Sequence, residues 1–336
     1  MNREHSEKVD LFQRELILCG LTPNEKVVIL SEGNALRDYA LAFVEAAKHL
    51  GSEVEDLNLS TSEALTAEER ITQLGKSSLS DDKAAMSTLK EADLVIDLML
   101  LLFSKEQIEI QASGTRILLA VEPFEILQRL FPSKESRQRV EDSEQLLASA
   151  KELHFSNEEG TDVVYQLGNK QVLTEYGFTD TPGRWDHWPS GFLATMAKPG
   201  GVDGRVVMAP GDILLPQMKM LREPISFEIS EGRVTKISGD AEASALNGYI
   251  QNYSDDRAYA VSHIGWGLNE DAQWTVDVPG IGMDARAHWG NVLFSLGPDI
   301  EFGGTNDTQC HLDLPMKNCD LRLDGELVVQ KGSIIY

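Results

Sequence analysis

Near the C-terminus His311 and Asp313 form a His-x-Asp pair, and His263 stands in the glycine- and tryptophan-rich run SHIGWG. Two imidazoles and a carboxylate on one side of a metal ion leave the opposite positions open for O2 and a substrate. That is the facial triad of non-haem Fe(II) oxygenases. The same donors with one position open also make a catalytic Zn site that activates water. His311 and Asp313 alternate along an extended segment, so both side chains point to one face and could hold one ion together. The plainer alternatives are a core histidine at a strand end for His263 and a surface pair for the other two. Gly265 and Gly267 permit close backbone approach beside His263, and Trp266 offers a wall for a flat ring. Ser295, in FSLGP, is either a turn serine or a hydroxyl donor near the ion. Cys310 adjoins His311, but hard oxygen chemistry prefers carboxylate and imidazole to thiolate. Asp284, Arg286 and His288, in MDARAHWG, suit structural roles or the orientation of ligands.

A second stretch, TEYGFTDTPGRWDHWPSGF (174–192), packs charged and aromatic residues among glycines and prolines. It is too broken for a regular helix and too polar for plain core, and ordered polar loops commonly carry function. Arg184 can pair with a carboxylate or enolate oxygen. His187 can serve as acid, base or hydrogen-bond donor to an oxygenated ring. Glu175 can accept a ring N–H or hydroxyl, and Trp185 can stack on the ring. The competing reading is a structural Arg-Asp-Trp network.

The elements that must position these residues fall into two groups. The first 153 residues alternate helical and apolar strand patterns. Helices are expected over 5–20, 34–50, 81–91, from Pro123, and over 135–153. Strands are expected over 26–30, 53–59, 92–102 (a strand continuing into an apolar loop) and 116–121, with a loop that can hold a helical turn over 60–80. Continuous apolar strands between helices imply a mainly parallel sheet covered on both faces. No G-x-G-x-x-G or P-loop lysine motif follows the first strand, which argues against nucleotide binding. From residue 154 short alternating strands take over: 153–155, 162–167, 205–208, 213–215, 225–229, 233–237 and 321–329, with a helix over 240–252. The expected architecture is an open α/β domain over 1–153 and a β-rich α+β domain over 154–336 that carries the metal site.

The chain of 336 residues has a net charge of -24, which disfavours nucleic acid and anionic membranes as partners. No apolar run approaches the roughly 20 residues of a membrane helix. The opening MNREHSEKVD is polar and charged, and three cysteines make no disulfide framework, so a cytoplasmic setting is expected.

The chain resembles the 2,5-dihydroxypyridine 5,6-dioxygenases, Fe(II) ring-cleaving enzymes of bacterial nicotinate degradation, over nearly its whole length. The resemblance is carried by GTRILLAVEP (114–123), TEYGFTDTPGRWDHWPSGF (174–192), SHIGWGL (262–268), MDARAHWGN (283–291), FSLGP (294–298) and CHLDLPMKNCD (310–320). More distantly it resembles two-domain metal-dependent aminopeptidases. The resemblance implies that His263, His311 and Asp313 hold Fe(II), and that Ser295 lies near the iron. It places Glu175, Arg184 and His187 near the substrate, and it implies a homo-oligomer of hexameric form. One departure stands out. The family carries a histidine, proposed as the catalytic base, in a segment like MLLxHS, where this chain has MLLLFS with Phe103. Phenylalanine takes no proton, so either another group such as His187 or a metal-bound species is the base, or the substrate differs. The expected partners are a small aromatic substrate and O2. The expected reaction opens a dihydroxylated pyridine to an N-formylmaleamate-type product. The rival is a metal-dependent hydrolase of the aminopeptidase or amidase type.

Overall fold

The computed structural model describes residues 3–59, 67–73, 78–168, 171–215, 217–278 and 280–336. The chain divides into two compact units, one of residues 1–132 with 176–189, the other of residues 133–175 with 190–336. Among the described residues no helix is long and apolar enough to cross a membrane.

The first unit is built on a parallel sheet of five strands, in the order Glu53–Leu59, Lys26–Glu32, Leu94–Asp97, Arg116–Leu119 and Trp185–His187. The strands Leu94–Asp97 and Arg116–Leu119 are buried throughout, as continuous apolar runs require. Helices Arg3–Leu18 and Arg37–His49 bring Phe12 and Phe43 face to face at 4.0 Å, with Trp188 edge-on to Phe12. Further helices span Lys83–Lys90, Lys105–Ala112 and Phe124–Arg129. Of the expected loop over 60–80, residues 60–66 and 74–77 lie outside the described residues. Residues 67–73 make one α-helical and one 3-10 turn.

The second unit opens with helix Lys134–Ser149, held by a capping box at Ser133. Its larger sheet has eight antiparallel strands, in the order Arg233–Gly239, Ile225–Ser230, Val202–Met208, Asp162–Gln166, Glu152–Ser156, Asp320–Leu323, Glu326–Gln330 and Ser333–Ile334. A second antiparallel sheet of five strands runs Leu312–Met316, Val292–Leu296, Val261–Gly267, Phe192–Met196 and Leu173–Glu175. Helix Ala241–Gln251 completes the unit's longer elements.

The fold class is as expected, a parallel α/β region followed by a β-rich region, but the division of the chain differs from a single cut at 153. The helix Lys134–Ser149 belongs with the second unit, where Ser143 Oγ lies 2.6 Å from Tyr336 Oη and Arg139 reaches Glu270. The segment 176–189 joins the first unit because Trp185–His187 pairs beside Arg116–Leu119. The strand expected over 321–329 is a hairpin instead. Asp324 and Gly325 both take positive φ (49° and 89°), the signature of a two-residue type I′ turn.

Gly265 shows how tightly the five-stranded antiparallel sheet is built. A Cβ placed on it would lie 1.8 Å from the Leu193 carbonyl oxygen of the paired strand. Gly265→Ala is therefore expected to cost about 3 kcal/mol or more, a fall in Tm of at least roughly 6 °C. Gly248→Ala, in a helix with nothing within 4 Å of the added atom, is the control. It should raise stability by a few tenths to about 1 kcal/mol. Thermal unfolding followed by circular dichroism reads both.

Candidate metal centre

Pairing across a sheet puts opposed residues on the same face, and alternation along each strand sends neighbours to opposite faces. In the five-stranded antiparallel sheet, Asp313 is opposite Ser295, and His263 is opposite Met196. His311, Asp313, Ser295 and His263 thus share one face. All four are buried, and Ser295 completely so.

Asp313 is the hub. Its Oδ1 lies 3.2 Å from His263 Nε2 and accepts from Ser295 Oγ at 2.6 Å; its Oδ2 lies 3.1 Å from His311 Nε2 and accepts from Arg286 Nε at 2.5 Å. Ser295 Oγ is also 2.9 Å from His263 Nε2. The two imidazoles stand nearly parallel, 5.6 Å apart, and Phe302 also stacks on His263, at 5.3 Å. Burial alone would raise the Asp313 carboxyl. The charges of His311 and Arg286, with the hydrogen bonds from both histidines, outweigh it and hold the group well below the usual carboxylate range. Burial holds His263 below its ordinary value.

This donor set fits a metal ion. His263, His311 and Asp313 each offer one ligand atom, all within 4.8 Å of one another. Adjacent ligands about 2.1 Å from a metal lie about 3 Å apart, close to the two imidazole–carboxylate separations here. The Cys310 thiol is pushed by burial up to about 12, a protonated state that suits a packed core better than ligation.

Arg286 comes from a one-turn helix, Met283–Ala287, whose residues are all buried. The run MDARA is therefore helical, and His288 follows it in an isolated bridge with Asn269. Asn291 ties this turn to the His263 strand. Its Nδ2 donates to the carbonyls of Ala285 and Arg286, and its Oδ1 accepts from Gly267 N at 2.6 Å. Asp284 accepts from Gln273 N, and His288 packs edge-on against Trp274. Arg286 is in contact with a proposed ligand, Asp313. The sequence offered a signal for it, a basic residue in a buried-looking run, but none for Asn291.

Glu175 shares the face of the triad. It pairs with Phe192, which pairs with Gly267, two residues along from Gly265 and four from His263. Its carboxylate accepts from Ser190 Oγ at 2.9 Å. Trp266 takes the opposite face of its strand. It is fully buried, and its indole N–H donates to Tyr336 Oη at 3.0 Å. The expected ring wall is a core indole.

The remaining candidates lie in the first unit. Arg184 donates from Nε and Nη2 to Asp186 and lies 3.8 Å over the Tyr176 ring. The Asp186 carboxylate also accepts from the backbone N–H groups of Tyr176, Gly177 and His187. The competing structural network is present here with tyrosine in the place of tryptophan. Trp185 and His187 are buried with ring centroids 6.3 Å apart. Phe103 is buried in a left-handed conformation, φ 58°, in the loop after the third parallel strand.

The family model described as NicX, 2,5-dihydroxypyridine 5,6-dioxygenase, matches residues 7–336. A protein of Pseudomonas putida KT2440 named 2,5-dihydroxypyridine 5,6-dioxygenase is 41% identical over 338 residues, covering 98% of this chain and 97% of that protein. The solved structure of a 2,5-dihydroxypyridine dioxygenase from Pseudomonas putida KT2440 superposes with a TM-score of 0.94 at 40% identity, covering 98% of this chain and 97% of that chain. Wild-type AmpT from Thermus thermophilus shares the fold, with a TM-score of 0.64 at 13% identity over 98% of this chain and all of that one.

Removing Arg286 tests the hub. Arg286→Met should destabilise the fold and free Asp313 to turn, with the metal affinity of the folded chain falling roughly 10- to 100-fold, and Asp313→Asn should fall further. Equilibrium dialysis with elemental analysis measures both.

Proposed function

Because this chain belongs to the 2,5-dihydroxypyridine 5,6-dioxygenase family, we propose that it is an Fe(II)-dependent, extradiol-type dioxygenase that opens 2,5-dihydroxypyridine or a close relative to an N-formylmaleamate-type product. The observation that carries the proposal is the buried set of two histidines and one carboxylate, His263, His311 and Asp313, with converging ligand atoms. Bound there, Fe(II) would supply an open-sided centre at which O2 and an electron-rich ring can meet.

The chain's own residues do the rest. Arg286 neutralises Asp313, so the protein brings no net negative charge to the centre and the site favours an anionic ring oxygen. The Ser295 hydroxyl, between His263 and Asp313, restricts how those ligands can turn and offers an O–H to a neighbouring oxygen. Glu175 is assigned the ring N–H or hydroxyl, with Ser190 holding its carboxylate. Arg184 and Trp185 are assigned to substrate binding and His187 to proton transfer, as the family resemblance implies. Phe103 supplies no proton acceptor and is assigned a place in shaping specificity. Exclusion of water by buried apolar neighbours such as Phe302 protects the reactive ring. Homo-hexameric assembly and a cytoplasmic setting are part of the same proposal. A hydrolase built on the same ligands would act without oxygen, and that difference decides between the two.

Anaerobic loading with Fe(II), followed by an oxygen electrode and a panel of substituted pyridines, tests the reading. One O2 consumed per ring opened is expected. Uptake with 2,5-dihydroxypyridine would make another group the base, uptake only with a relative would assign Phe103 to specificity, and amide hydrolysis without uptake would favour the hydrolase.

A further inference from the structure

We propose that Asp97 is a positioning residue: its carboxylate clamps the loop of residues 98–103 in a left-handed shape and so fixes the Phe103 ring that shapes specificity. The inference rests on the role assigned to Phe103 above and deepens it. The loop leaves the parallel sheet at its carboxyl end, where open α/β sheets place their ligands. Asp97, Leu119 and His187 end three neighbouring strands there and are register partners, so the loop starts from the row that holds His187. The loop backbone is strained twice. Leu100 has φ 59° and Phe103 φ 58°, a region that bulky side chains rarely enter. Ser104 N donates to Leu101 O at 3.0 Å, which closes a turn with Leu102 and Phe103 at its centre. Of those two only Phe103 has a positive φ, the pattern of a type II turn, whose third place favours glycine or asparagine. Such conformations persist only where the surroundings over-determine them, and they gather at ligand clamps and active sites.

Asp97 supplies that determination. It is fully buried. Its Oδ1 accepts from Met99 N at 2.7 Å and its Oδ2 from Leu101 N at 2.8 Å, so the two oxygens hold the N–H groups on either side of Leu100. A carboxylate accepts with both oxygens, whereas an amide offers one oxygen and would turn its NH2 towards the other N–H. Burial pushes the Asp97 carboxyl up to about 6, against the pull of the Leu101 and Met99 N–H groups and of the Arg70 charge, so it is ionised at neutral pH. The far end of the loop is held as well. Ser104 Oγ accepts from Gln107 N at 3.1 Å and caps the helix Lys105–Ala112. Phe103 is buried between the two anchors. The clamp, and not the backbone preference of phenylalanine, sets where the ring goes.

Two readouts test it. Amide hydrogen exchange, resolved to single residues by fragmentation mass spectrometry, should show Met99 and Leu101 protected in the wild type and at least roughly 10-fold less protected in Asp97→Asn. The kcat/KM of the Fe(II)-loaded chain, with the pyridine that the wild type turns over best, should fall roughly 10- to 100-fold in Asp97→Asn. In a Phe103→Ala background the same change should cost less than about 2-fold, because Asp97 acts through Phe103. An equal loss in both backgrounds overturns the proposal, as does unchanged exchange or unchanged kcat/KM in Asp97→Asn. Should Asp97→Asn fail to fold, the wild-type chain decides. Met99 and Leu101 amides that exchange as fast as those of Lys105 and Glu106, first-turn N–H groups with no intrahelical carbonyl to take them, then overturn it. A wild type that consumes no O2 with any pyridine would sink the proposed dioxygenase, and amide exchange would still decide the clamp.

Discussion

The Asp313 carboxylate is buried with 3% exposure, and a charge in that position must be matched by its surroundings. Arg286, Ser295 and both imidazoles meet it at hydrogen-bonding distance. Each partner comes from a different segment, so the match fixes the register of three strands and the place of a one-turn helix. A one-residue slip of the Leu312–Met316 strand would turn His311 and Asp313 to the opposite face together. The geometry of the centre and the geometry of the sheet are therefore one requirement.

Glycine is where the backbone meets that requirement. Gly265 lies against Leu193, Gly267 against the His288 carbonyl, and Gly297 against Cys310. Each close approach brings a neighbouring segment to the site without a side chain between. Asn291 then seals the junction with three hydrogen bonds, linking the Arg286 turn to the His263 strand. The result is a site held by short-range packing on regular elements, with His263 and Asp313 on strands and His311 immediately before one.

Much of this was legible in residue types and spacing. The alternation of His311 and Asp313 predicted a shared face, and the glycines around His263 predicted close approach, because both follow from local backbone geometry. The parallel α/β region was legible because buried strands read as continuous apolar runs. Other features depend on long-range pairing that no local pattern encodes. The short strand Trp185–His187 lies beside Arg116–Leu119 although roughly seventy residues separate them in the chain. Trp266 was expected at a substrate ring, but parity along the strand places it on the face away from His263. The register slip between Val261 and Ile264, beside His263, is likewise invisible until the partner strand is known. Spacing left Ser295 open between a turn serine and a hydroxyl donor near the ion, and the sequence resemblance chose the second.

The central claim is that His263, His311 and Asp313 serve chemistry between O2 and a ring, and not the activation of water. Turnover of 2,5-dihydroxypyridine by the Fe(II)-loaded chain under isotopically labelled O2, with mass spectrometry of the product, addresses it most directly. The account predicts that both labelled oxygen atoms appear in one ring-opened product. A product whose new oxygen comes from water alone would contradict it and assign the same ligands to a hydrolase.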